Sequence, residues 1–426
     1  MVIELINTGS ELMLGRVLNS HQQWICRTLA DHGYTVTRQV AVPDGADDIE
    51  RSVVEALGRA DLVITTGGLG PTCDDITRER IAGLLGVPLD HDPAVERQIH
   101  SFFTSRNRPI PSRTKVEALV PPGGLVLPNS QGTAPGLVLR HGPNKYRTGG
   151  TPSWIVMLPG PPRELHPMFR ESVIPWLQKT YPLNTPFVNR TLKTTGLGES
   201  LLEERLTGPL DSLVRQGMDL GFCARVGEVE VRFVARHPEA AEMVAEAERI
   251  TRQQIGEYIY GSGDETLETA LVKALTDRRR TLALAESCTG GHIANRITNV
   301  PGASAVLVAG LVTYANSAKQ RYLGVSPAVL EAHGAVSEPV AIQMAEGART
   351  TSGADFAIAV TGIAGPTGGT EQKPVGTVFI AIASPDGTKC WKELNRFDRE
   401  TFKYTTAQQA MVRLLRLVLN SEAPHA

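Results

Sequence analysis

The chain of 426 residues is poor in aromatic residues, at 5%, and has only five cysteines. Cys26, Cys73, Cys223, Cys288 and Cys390 stand far apart, with no C-x-x-C pair and no even framework. That excludes a disulfide scaffold or a structural zinc as the organising device. No run of about 18 apolar residues occurs, so no helical membrane span is expected. A formal net charge of -2 provides no global basic field to draw the chain to nucleic acid or an anionic membrane. The opening Met1-Val2-Ile3-Glu4-Leu5 lacks a basic stretch and a long apolar run. It reads as a strand, not a signal peptide, and a reducing cytoplasm is the expected compartment. What is present is 41% hydrophobic and 21% charged residues, an ordinary α/β composition. The length calls for two or three domains.

The first part alternates strands and helices. Val2–Asn7 is a short apolar strand ending at Thr8-Gly9-Ser10; Asn19-Ser20 then caps a helix, with Gln23 three residues after Ser20 as a capping box, and Gly33 stops it. Tyr34–Val42 is the next strand. Asp47–Ala60 sets Ile49, Val53, Val54 and Leu57 on one helical face. Leu62–Thr65 is a buried strand running into Gly67-Gly68-Leu69-Gly70, and Asp92-Pro93 starts a further helix. Such alternation predicts parallel pairing in a doubly wound sheet. A Pro-containing stretch, Tyr181–Pro186, and a glycine-rich one, Tyr260–Asp264, mark boundaries. They give domains at 1–181, 182–262 and 263–426, the middle one a small α+β piece. The last part is again α/β. Thr281–Ala285 runs into Glu286-Ser287-Cys288-Thr289-Gly290-Gly291 before a helix; Val306–Thr313, Phe356–Thr361 and Val375–Ala383 are further strands, and a helix covers Arg399–Leu419.

Two loops carry chemistry. Ser287 sits at a strand-to-helix junction among small residues, where backbone N–H groups gather beside a helix N-terminus. The turn offers a nucleophile together with an oxyanion site, although such turns also serve as plain connections or phosphate cradles. In a parallel sheet the strand ends on one edge share a crevice, which brings Lys319 and the Thr361–Pro366 segment within reach of Ser287. A desolvated lysine acts as a neutral base. Cys288 reads as packing beneath the turn. In the first part, Gly67, Gly68 and Gly70 allow a phosphate to approach the backbone, and Asp74 and Asp75 are oxygen ligands for a hard divalent ion. The competing reading is that one Asp only caps the following helix.

Several segments of the last part, taken in order, resemble the CinA C-terminal family. They are Ala285–Gly291, Thr313-Tyr314-Ala315-Asn316-Ser317-Ala318-Lys319, His333–Glu338, Thr361-Gly362-Ile363-Ala364-Gly365-Pro366 and Lys373–Val378. The resemblance covers about residues 264–420. It implies deamidation of nicotinamide mononucleotide by a Ser287–Lys319 pair with Tyr314 and Thr361 nearby and no cofactor. The implied substrate contacts are Cys288, Thr289, Gly290, Gly291, Asn316, Gly362, Gly365 and Arg399. The family's usual Gly-Asp-Arg followed by another Arg is here Phe397-Asp398-Arg399 and Lys403. Thr8-Gly9-Ser10-Glu11-Leu12, Thr65–Thr77, Asn129–Gly136 and Leu158–Glu164 are similar to the CinA N-terminal domain, a molybdopterin-binding-like fold. This implies an ADP-ribose pyrophosphatase dependent on Mg, Mn or Co. Gly9, Ser10, Glu11, Gly67, Gly68, Gly70, Thr72, Asn129 and Gly132 would contact substrate, and Asp74 and Asp75 the metal. His21 stands where the family often has Asn. The middle piece resembles the family's KH-like domain but has no G-x-x-G loop, so nucleic-acid binding is not expected. The family implies a homodimer. The alternatives are a non-catalytic molybdopterin- or nucleotide-binding protein, and an interaction protein in DNA uptake or repair.

Overall fold

The computed structural model describes residues 1–420; residues 421–426, the end of the last expected domain, lie outside the described residues. The chain divides into two compact units, Met1–Phe187 and Val188–Ala426. No helix among the described residues is long and apolar enough to cross a membrane.

The first unit is built on six strands: β1 (Ile3–Thr8), β2 (Val36–Val42), β3 (Leu62–Thr66), β4 (Leu125–Leu127), β5 (Gly136–His141) and β6 (Ser153–Leu158). They lie side by side as β2-β1-β3-β6-β5-β4. β2, β1, β3 and β6 are parallel. β5 and β4 run antiparallel, because loops 128–135 and 142–152 contain no crossover helix. Apolar residues alternate between the two faces. Ile3, Leu5, Leu62 and Ile64 pack with the Ser20–Asp31 helix, while Ile6 and Val63 pack with the Ala46–Leu57 helix. That alternation makes the sheet doubly wound. The Ser20–Asp31 helix is capped by Asn19, whose Oδ1 accepts from Gln22 N at 3.2 Å, so of the Asn19-Ser20 pair it is Asn19 that caps.

The second unit opens with β7 (Phe187–Thr194), β8 (Met218–Arg225), β9 (Glu228–Arg236) and β10 (Ile259–Ser262), ordered β8-β9-β7-β10. Helices Glu199–Arg215 and Ala240–Ile255 share a core with this sheet through Leu202, Leu206, Val231, Phe233, Met243 and Val244. The sheet that follows holds β11 (Leu282–Glu286), β12 (Leu307–Val312), β13 (Phe356–Gly362), β14 (Thr377–Ser384) and β15 (Gly387–Leu394), ordered β12-β11-β13-β14-β15. The first three positions are parallel and the last two antiparallel. All-parallel pairing fails here for the same reason as before: segment 363–376 carries no helix.

One face of this second α/β sheet is almost purely alanine. Ala283, Ala285, Ala357, Ala359, Ala381 and Ala383 meet the Glu338–Ser352 helix. The opposite face bears Leu282, Leu284, Ile358, Val360, Ile380 and Ile382 against the Leu267–Asp277 and Arg399–Asn420 helices. Small side chains let the Glu338–Ser352 helix approach closely. A Cβ on Gly347 of that helix would stand 1.9 Å from the Leu323 carbonyl oxygen, at the end of the Asn316–Leu323 helix. That neighbour helix carries Lys319.

Candidate active sites

The register of the last sheet assembles the first site. Glu286 lies opposite Val312 on one side and Val360 on the other. The next residue on each strand is therefore Ser287, Thr313 or Thr361, in one row. Ser287 N donates to Val360 O at 3.0 Å and Thr313 N to Glu286 O at 2.9 Å, which locks the row. From there the chain turns into the Asn316–Leu323 helix and brings Lys319 back under the row.

Lys319 is 1% exposed. Its Nζ lies 3.1 Å from Ser287 Oγ, 2.7 Å from Thr313 O and 3.2 Å from Tyr314 O. Burial holds its ammonium below the usual lysine range. A neutral amine has two N–H bonds and one lone pair. With both N–H bonds given to the two carbonyls, the lone pair faces the Ser287 hydroxyl. Cys288 is also buried, and burial pushes its thiol up to about 12. It is a poor nucleophile near neutral pH.

Glu286 is the functional residue that the sequence reading left without a role. It is 1% exposed, and its carboxylate accepts from Gly291 N at 3.0 Å, Ile293 N at 3.1 Å and Ala294 N at 2.8 Å. A buried carboxylate thus occupies the positive end of the His292–Thr298 helix. Gly290 N is also engaged, on Ser287 O at 3.1 Å. Of the four amides Cys288 to Gly291 expected to hold an oxyanion, the two glycines are therefore already committed. Cys288 lines the cavity beside Ser287, whereas Thr289 is fully buried.

A cavity of about 290 Å³ opens over this arrangement, lined by Ser287, Cys288, Tyr314, Lys319, Thr361, Gly362, Gly365 and Arg399, with Ala335 and Val336 opposite. Tyr314 and Thr361 stand in the same cavity as the Ser287–Lys319 pair. The Thr361 hydroxyl donates to Ala335 O at 2.8 Å and so fixes the facing loop. Tyr314 is 61% exposed, and its hydroxyl accepts from Arg399 Nη2 at 2.9 Å. Arg399 Nη1 donates to Gly365 O at 2.8 Å, tying three segments at the rim. Asn316 is exposed and Thr289 fully buried, and neither lines the cavity.

The first unit has its own cavity, of about 370 Å³, where β3 ends. Gly9, Glu11, Gly67, Gly68, Gly70, Asp74 and Asp75 line it. Gly68 has φ +68 and a Cβ there would stand 2.1 Å from Thr77 Oγ1, so only glycine fits. Asp75 Oδ2 accepts from Thr72 N at 2.9 Å, and Thr72 Oγ1 donates to both Asp74 and Asp75. These acids close the 72–75 turn. The Thr77–Leu85 helix has no side-chain cap, so the capping alternative is not what they do.

Ser10 pairs with Asp44. Asn129 lies behind the wall: its Nδ2 donates to Glu164 Oε2 at 2.8 Å and its Oδ1 accepts from Gly132 N at 2.8 Å. Gly132 leaves the room that Glu164 fills. His21 Nε2 meets Gly160 O at 2.5 Å, and burial lowers its pKa, so the ring is a neutral donor there. Glu117 and Glu164, which the sequence reading missed, also line the cavity. Glu117 is 1% exposed, its Oε2 has no partner, and burial pushes its carboxyl up to about 7. No three His, Cys, Asp or Glu side chains among the described residues converge as a finished metal cage. Carboxylate oxygens are nevertheless the donors a hard divalent ion takes, with substrate oxygens and water completing its shell.

Fold and sites together define a three-part α/β protein with a separate polar cavity at a sheet edge of each outer domain. Models for a probable molybdopterin binding domain, the damage-inducible protein CinA KH domain and the CinA C-terminal domain match residues 4–179, 189–261 and 264–418. The chain belongs to the CinA family. It is 45% identical to a CinA-like protein of Akkermansia muciniphila, over 97% of this chain and 96% of that one. It is 41% identical to a putative competence-damage inducible protein of Moorella thermoacetica, over 98% of both. The solved competence/damage inducible protein CihA of Agrobacterium tumefaciens is 41% identical and covers 36% of this chain and 94% of its own, with a TM-score of 0.35.

Proposed function

We propose that the last domain is a serine amidohydrolase that converts nicotinamide mononucleotide to nicotinate mononucleotide and ammonia. The observation that carries this is the buried Lys319 amine, aimed at Ser287 Oγ by two backbone carbonyls. Lys319 takes the Ser287 proton as Oγ attacks the carboxamide carbon. The tetrahedral oxyanion is held by the amide of Cys288, the turn residue that lines the cavity beside Ser287; such a donor contributes roughly 10²–10³ in rate. The C–N bond then breaks, and Lys319 returns the proton to the leaving nitrogen, which departs as ammonia. Water, deprotonated by the same amine, hydrolyses the Ser287 ester and releases the acid. Neither a purely binding protein nor a DNA-interaction protein accounts for a lysine desolvated beside a serine. Ammonia release from nicotinamide mononucleotide by the purified chain tests the reading. Full activity in Ser287→Ala would refute it.

For the first domain we propose a metal-dependent ADP-ribose pyrophosphatase yielding AMP and ribose 5-phosphate. Asp75 and Asp74 would hold a divalent ion, which when bound neutralises pyrophosphate oxygens. Gly67, Gly68 and Gly70 let the phosphates reach the backbone. The supporting observation is a glycine-walled cavity whose titratable lining is wholly carboxylate, a lining that disfavours a bare pyrophosphate.

A further inference from the structure

The wall of the first unit's cavity leans on a cluster of rings that lies behind it. The Ser20–Asp31 helix carries His21 and, three residues on, Trp24. His166 of the Pro162–Met168 helix stacks on Trp24, with ring centres 3.8 Å apart and planes 11° from parallel. His21 stands edge-on to His166 at 6.1 Å. Phe169 meets Trp24 edge-on at 5.7 Å, and the Arg170 guanidinium carbon lies 5.3 Å from the Trp24 ring centre. Out of this cluster His21 Nε2 reaches the Gly160 carbonyl at 2.5 Å. Gly160 lines the cavity, and His21 does not.

Gly160 matters because of what it touches. It follows β6 by two residues, and a Cβ on it would stand 3.7 Å from Gly67 Cα. Gly67 N in turn donates to Leu158 O at 2.9 Å. The two loops are packed backbone on backbone, so a shift of the Gly160 carbonyl moves the glycine loop of the cavity. His21 Nδ1 and His166 Nε2 are buried and have no partner. Protonating His21 would place a second N–H where nothing accepts it, beside another ring and the Arg170 cation. Burial lowers the pKa of both rings, and the neighbouring charges of His21 and Arg170 lower that of His166 further. Glu164, two residues before His166, takes Asn129 Nδ2 and lines the cavity instead.

We propose that His21 is a positioning residue of the first cavity: backed by His166 and Trp24, it sets the Gly160 carbonyl and through it the Gly67 loop, and it does so only as the neutral ring. The proposal rests on the pyrophosphatase reading of that cavity. The test follows kcat/KM for ADP-ribose with Mn from pH 5 to 8 in the full chain. Glu117 also titrates near neutrality, so the pH effect is read as the difference between variant and wild type. His21→Ala removes the donor and should lower kcat/KM by ~10-fold or more across the range. His21→Gln carries an amide N–H about as far from Cβ as the ring Nε2 and has no titrating group. It should stay within ~3-fold of wild type at pH 8 and lose the part of the acid limb that falls below the usual histidine range. Hydrogen exchange of the Gly67 amide supplies a readout independent of turnover. Its protection should fall by ~5-fold or more in His21→Ala, and in wild type on going from pH 8 to 5, but hold at both pH values in His21→Gln. Wild-type protection of Gly67 in His21→Ala would overturn the positioning role. An acid limb and a loss of protection in His21→Gln that match wild type would overturn the requirement for the neutral ring. No cleavage of ADP-ribose by wild type with Mg, Mn or Co would overturn the pyrophosphatase reading instead, while the exchange measurement still decides His21.

Discussion

At the scale of the residue, the proposed catalysis turns on one proton. Lys319 sits below its usual range because burial penalises its charge. The active form is the neutral amine, so the rate should rise with pH as Lys319 deprotonates and then level off, at a pH below that of an ordinary lysine. A pH profile of kcat/KM under conditions where chemistry limits the rate checks this; a profile flat from pH 5 to 10 would contradict it. Ser287→Ala and Lys319→Met should each cost several orders of magnitude in kcat. The double variant should be little worse than either, because groups acting as a unit fail together. Cys288→Ala should keep most of the activity, since its thiol is pushed up to about 12. The positions of Ser287, Cys288 and Lys319 at one sheet edge were readable from motif and order, although Lys319 lies on the Asn316–Leu323 helix and not on a loop. The role of Glu286 was not. A glutamate at the last position of a buried strand gives no sign that its carboxylate will bend forward to take three helix amides.

At the scale of the element, alternation of strands and helices exposed the α/β class and the crevice-forming edge. It did not expose where each sheet reverses direction. β15 was missed outright, because an edge strand with one solvated face keeps few apolar residues to mark it. The close approach of the Glu338–Ser352 and Asn316–Leu323 helices was equally hidden. It depends on Gly347 meeting the Leu323 carbonyl across a non-local contact. Gly347→Ala forces those helices apart. Overpacking of this kind costs about 1–3 kcal/mol, which a denaturant titration of the second unit would register. Activity should fall as well, since the displaced helix carries Lys319. An unchanged transition midpoint would show that the interface relaxes without strain.

At the scale of the molecule, the two outer domains line their cavities with different charge. The cavity of the first unit collects Glu11, Asp44, Asp74, Asp75, Glu117 and Glu164. Such a lining repels a pyrophosphate unless a cation stands between them. Around Arg399 the second unit instead offers Arg399 and Lys403 against the single carboxylate of Glu400. A net charge of -2 for the whole chain conceals this division, which is why composition alone gave no hint of it. Chelation should therefore separate the two activities. EDTA should abolish ADP-ribose cleavage, with recovery on adding Mg, Mn or Co, and should leave ammonia release within about 2-fold of its starting rate. Asp75→Asn should do the same by removing one ligand charge, while the Thr72–Asp75 turn keeps a hydrogen-bond acceptor. Glu117→Gln is the sharper variant. It retains the shape of a 1% exposed side chain but removes the oxygen that has no partner in the cavity. If that oxygen meets the cation, Glu117→Gln should weaken Mn binding, read by calorimetry, as well as cleavage. Unchanged Mn affinity together with full cleavage in Glu117→Gln would place the cation elsewhere among the carboxylates.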